Sequence, residues 1–116
     1  MVDKKLSLRN PREFENPFFV VVHANPDKAD RHLDSTFLNQ VRSEIAEIKA
    51  SHEFTEMNTW PPTRIPERVP KDRPILVCGL FYSRVNHPRL CVEDQCESLR
   101  QNGYDAHVSA KGTYQL

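Results

Sequence analysis

Apolar positions along this chain form two kinds of pattern, unbroken runs and helical stripes. Phe18-Phe19-Val20-Val21-Val22 is a continuous aromatic and β-branched run, and Ile75-Leu76-Val77-Cys78-Gly79-Leu80 is a second. Such runs suit strands buried on both faces of a sheet. His23-Ala24-Asn25-Pro26-Asp27 breaks the first, because Pro26 cannot donate to a ladder. Phe37, Leu38, Val41, Ile45 and Ile48 then recur at helical spacing, with Arg42, Glu44, Glu47 and Lys49 on the wet side. The stripe predicts a helix capped by Asp34 or Ser35 and fading near Ser51. Residues 53–59 alternate polar and apolar, as a short one-sided strand does, until Trp60-Pro61-Pro62 stops them. Val92, Cys96 and Leu99 mark the inner face of a second helix, which Asn102-Gly103 ends. Ala106 and Val108 alternate with His107 and Ser109 in a last strand, and Lys111-Gly112 reads as a turn before a short tail.

The order is β-α-β-(loop)-β-α-β. It predicts an α/β fold, a small three-layer, mostly parallel sheet linked by crossovers. A ferredoxin-like α+β arrangement is the alternative. The two doubly buried runs favour the parallel sheet, because an antiparallel sheet with helices on one face should alternate more cleanly. Residues 1–16 read as a polar arm, poorly ordered or lying on the surface. Residues 17–116 read as a single domain with a Pro-rich connection at 60–74, extended over the surface.

Composition narrows the function classes. The 116 residues carry 16 Lys plus Arg and 16 Asp plus Glu, so the formal net charge is zero. No strong field steers the chain toward nucleic acid or an anionic membrane. No apolar run is long enough to span a bilayer, and the charged first residues lack the core of a signal peptide. A cytoplasmic protein is expected. The three cysteines form no CxxC pair, and the three glycines form no phosphate loop. Neither a metal nor a cofactor is expected.

Chemistry concentrates at the strand ends. Cys91 stands at the mouth of the second helix, where dipole and unpaired N–H groups favour thiolate, and Arg89 would add to that. Cysteine at such a position is also a common small apolar residue. Cys78 and Cys96 read as core. His23 and Asp27 follow the first strand, where open sheets place catalytic groups, although a strand-end polar cluster making turn hydrogen bonds explains them better. Tyr82, Arg84 and Arg89 could line a basic loop for a phosphate or carboxylate. His87 and His107 read as a loop and a solvent-facing strand position.

The segment from Ile75 to Val108 resembles the isochorismatase-like cysteine hydrolases. The resemblance rests on Val77-Cys78-Gly79-Leu80 at a strand end, Cys91-Val92 opening a helix, and Gly103-Tyr104 before the next strand. Phe19 to Asp27 can be laid on the family's opening strand. The resemblance implies a Cys nucleophile that attacks a carbonyl or imine carbon, with an Asp and a Lys completing a triad. Here His23 falls at the family's Asp position, Asp27 lies four residues later, and no segment supplies the Lys. Leu99 to Val108 with Gly112-Thr113-Tyr114 also resembles a SPOR peptidoglycan-binding unit.

The hydrolase resemblance implies cleavage of an amide or related C–N bond in a small-molecule substrate. Cys91 would be the nucleophile, His23 or Asp27 the proton carrier, and the Val92 N–H an oxyanion donor. Asn25, Tyr82, Arg84 and Arg89 would complete a ligand site. The competing expectation is a non-enzymatic binding or regulatory module, such as a viral or mobile-element factor, that holds a protein partner. A short chain with parallel strands leaves sheet edges open, so a homodimer is also expected.

Overall fold

All strand pairings in the computed structural model run parallel. It describes residues 8–22, 35–57, 64–82 (backbone only at 81 and 82) and 91–115. The strands are β1 (Leu8–Arg9), β2 (Phe18–Val22), β3 (Phe54–Met57), β4 (Ile75–Tyr82) and β5 (Ala106–Gln115). They form one five-stranded sheet in the order β1-β5-β4-β2-β3. Helix α1 (Ser35–Ser51) lies between β2 and β3 in the chain, and α2 (Cys91–Gln101) between β4 and β5. This is the three-layer parallel α/β fold that the doubly buried runs predict. The ferredoxin-like alternative needs antiparallel neighbours, and no antiparallel ladder occurs among the described residues.

Strand parity separates the two layers of core. Phe18, Val20 and Val22 face α2 together with Ile75, Val77, Ala106 and Val108, where they meet Val92, Cys96 and Leu99. Phe19 and Val21 face α1 with Leu76, Cys78 and Leu80, and meet Leu38, Val41, Ile45 and Ile48. Every residue of β2 is therefore buried. A strand covered on both sides can carry no polar side chain without a partner, which is why its sequence reads as an unbroken apolar run.

The termination of α2 is local chemistry. Gly103 sits at φ 88°. The Tyr104 N–H donates to the Leu99 carbonyl at 3.0 Å, and the Gly103 N–H to that of Arg100 at 3.1 Å. These two bonds make a Schellman cap, with Tyr104 and Leu99 closing its apolar contact. The glycine turns the chain straight into β5.

Four expectations change. The polar arm supplies a strand: Leu8 pairs with Val108 and Arg9 with Ser109. A 3-10 turn at Pro11–Glu13 follows, closed by an Asn10–Glu13 capping box. Phe14 lies 4.7 Å from the His107 ring and beneath the Arg9 guanidinium, so His107 is covered rather than solvent-facing. The Pro-rich connection is partly anchored too, since Val69 and Ile65 join the α2-side core. Lys111-Gly112 is not the end of the last strand either. Val77 pairs with Val108 but Gly79 with Thr113, so β5 makes an excursion at 109–112 and then resumes its ladder.

Helix α1 holds that excursion. Glu44 Oε1 accepts the Gly112 N–H at 2.8 Å, and Glu47 pairs with Lys111 at 2.8 Å. Inside the excursion, Ser109 donates to the Lys111 carbonyl at 2.7 Å and Thr113 to the Ser109 carbonyl at 2.5 Å. Each buried hydroxyl thus has an acceptor, which offsets its loss of water.

Across the sheet, Gly79 has φ 115°, and a Cβ there would lie 2.0 Å from the Val22 carbonyl oxygen. Gly79→Ala is expected to cost about 3 kcal/mol, combining forbidden backbone with a main-chain clash. Gly103→Ala, where nothing crowds the added methyl, is expected to cost only about 1 kcal/mol. Urea midpoints read by circular dichroism test the ranking, and equal losses at the two positions would contradict it.

Candidate functional site

Two crossovers leave the middle of the sheet in opposite directions. From β2 the chain passes through α1 to β3 on one side, and from β4 it passes through α2 to β5 on the other. The helices cover opposite faces, so the sheet has a topological switch point at the carboxyl ends of β2 and β4. Open α/β sheets bind ligands at such a switch point. Val22 ends β2 and Tyr82 ends β4 at this edge, and Cys91 opens the helix that follows β4.

The sequence-predicted site residues divide between described and undescribed positions. His23, Asn25, Asp27, Arg84 and Arg89 lie outside the described residues, as do His87 and Trp60. Of Tyr82 only the backbone is described, pairing with Gln115. Cys91 and Val92 occupy the first turn of α2. The Val92 side chain is fully buried in the core, while its N–H belongs to the first helical turn, which has no intrahelical acceptor.

Cys91 is half-buried against the α2-side core. Burial pushes its thiol up, and the negative charge of Asp94, one turn into the helix, pushes it further. The helix start therefore does not produce the lowered thiol that its position alone suggests. Desolvation and a neighbouring carboxylate outweigh the backbone hydrogen bond that lowers it. Cys78 and Cys96 are core, as expected, and burial raises both to about 12.

The polar face of α2 holds residues that the apolar stripe does not include. Glu93 and Gln95 are buried beside it. Gln95 Nε2 donates to the Arg64 carbonyl at 2.8 Å and lies 3.1 Å from Met57 Sδ. One amide thus ties the Pro-rich connection to α2 and to β3. Val92, Gln95, Cys96 and Leu99 repeat as i, i+3, i+4, i+7, so the spacing carried the signal and only the polarity of Gln95 hid it.

A second concavity lies on the α1 face. A cleft of about 760 Å³ opens between the 3-10 turn, the last turns of α1 and the β5 excursion. Phe14, Phe19 and Ile48 are among its apolar lining, with Arg12, His52 and Lys111 among its polar lining. Among the described residues no cluster of His, Cys, Asp and Glu could hold a metal ion. No helix among them is long and apolar enough to cross a membrane.

The buried thiols couple stability to pH. Their folded pKa of about 12 exceeds the ordinary 9.0, so the folded chain keeps protons that the unfolded chain releases. Their contribution is fully present below pH 9 and is lost as pH rises toward 12. Stability measured by urea unfolding is expected to fall above pH 9, and to fall less steeply in a Cys78→Ala, Cys96→Ala double variant. Parallel curves for the two proteins would refute this assignment.

No family model, no curated protein and no solved structure matches the chain.

Proposed function

We propose that this chain is a non-enzymatic binding module that holds its partner at the carboxyl edge of the sheet, around the ends of β2 and β4 and the mouth of α2. The observation that carries the reading is the state of Cys91. Its thiol is raised by burial and by Asp94, so at neutral pH it is protonated and a poor nucleophile. Open α/β sheets bind ligands at a switch point whether or not a reaction takes place there. Asn25, Arg84 and Arg89 follow β2 and β4 directly in sequence and offer polar contacts to a partner at that edge.

A second reading is the cysteine hydrolase implied by the resemblance to the isochorismatase-like family. It is favoured by the place of Cys91, at the start of the helix after the central strand β4. In that reading Cys91 attacks an amide or related carbon, the Val92 N–H stabilises the oxyanion, and His23 or Asp27 carries the proton. The triad acid and Lys have no counterpart in the matching positions, which favours the binding reading.

Alkylation of the folded protein separates the two. Iodoacetamide is expected to modify Cys91 more slowly than free glutathione at pH 7, with a rate that keeps climbing as pH passes 9.0. Selective, rapid modification of Cys91 at pH 6 would sink the binding reading and support an activated nucleophile.

A further inference from the structure

We propose that the cleft on the α1 face binds a small organic anion with an apolar body, such as an aromatic carboxylate. This site is separate from the carboxyl edge and does not depend on what that edge does. The cleft's volume of about 760 Å³ falls within the range that holds small ligands.

Among the described residues its lining carries two cationic donors, Arg12 and Lys111. Arg12 is exposed on the 3-10 turn and forms no ion pair among the described residues. Lys111 reaches the opposite wall from the β5 excursion, held by Glu47 at 2.8 Å. His52 donates its Nδ1–H to Ser51 Oγ at 2.9 Å, because that hydroxyl's own proton goes to the Glu47 carbonyl, so the ring adds no further donor to the cleft in its neutral form. The one carboxylate in the lining, Glu44, is committed to the Gly112 N–H and to Gln40. A neutral or cationic head would leave these donors unanswered, whereas a carboxylate accepts from several at once.

The body of the ligand is set by the floor. The half-buried Phe14 forms the apolar surface that a ligand can reach, with Ile48 and Phe19 buried behind it, and its other neighbours are Arg9 and His107. Phe19 also carries the His52 ring at 4.9 Å, edge to face. A flat aromatic ring laid against Phe14 would bury apolar area while its carboxylate met Arg12 and Lys111. Asn16, in the left-handed region at φ 48°, turns the chain at the mouth and leaves the cleft open.

The test is a titration followed by amide chemical shifts, with benzoate and its neutral isostere benzamide as probes. Benzoate is expected to shift the amides of residues 10–17, 48–52 and 110–112 saturably, and benzamide to bind at least tenfold more weakly, as loss of a charge-assisted hydrogen bond predicts. Arg12→Gln alters an exposed side chain and should fold normally, with benzoate affinity reduced about tenfold. Lys111→Gln should weaken benzoate in the same direction, with its thermal midpoint read alongside to show that the excursion is intact. Equal affinity for the two probes, shifts confined to other parts of the sheet, or no saturable shift with benzoate would each overturn the proposal.

Discussion

The sheet depends on its two central strands being sealed from water on both faces. β2 and β4 exchange a parallel ladder from Phe18–Ile75 to Val22–Gly79. Every N–H and C=O between them is buried with the side chains, so the ladder must be complete and both faces must be covered. That demand explains why the chain needs one helix on each face. It also explains why the two crossovers diverge, and divergence makes the carboxyl edge of β2 and β4 a switch point. The candidate binding site is thus a by-product of burying β2 and β4.

The second half of β5 answers a related demand. Helix α1 follows β2 in the chain, yet its carboxylates reach β5: Glu44 binds Gly112 and Glu47 binds Lys111. The Phe37 and Tyr114 rings meet at 4.6 Å along the same seam. By leaning toward β5, the helix leaves the edge strand β3 thinly covered. Phe54 there is 38% exposed, guarded by Lys49, which lies over its ring and pairs with Glu56. Charge beside an exposed edge discourages pairing with another strand.

Legibility in the sequence follows burial. Strands sealed on both faces, and helices with one apolar face, are written as patterns that no other element imitates. Both helices and the two central strands were therefore readable, as were the Gly103 stop and the core roles of Cys78 and Cys96. β1 was not, because a two-residue strand at an edge needs only Leu8 to turn inward. The β5 excursion was hidden for a different reason. Lys111-Gly112 is good turn chemistry, and only contacts with α1, distant in sequence, return the chain to its ladder. At the candidate site the sequence placed Cys91 correctly at the helix mouth. It could not report the thiol's state, which depends on desolvation and on Asp94 rather than on position.

β5 is made after the other described strands, yet it lies inside the sheet, between β1 and β4. Until β5 is made, the outer edge of β4 has no partner and the Leu8 strand has nothing to join. The α1 layer lacks its seam with Tyr114 at that stage, and the α2 layer lacks Ala106 and Val108. The fold closes when β5 adds to the β4 edge and β1 pairs with β5, and the second of these joins residues far apart in sequence, which is slow by nature. Until then the open β4 edge is the surface on which a nascent chain would need shielding from its neighbours.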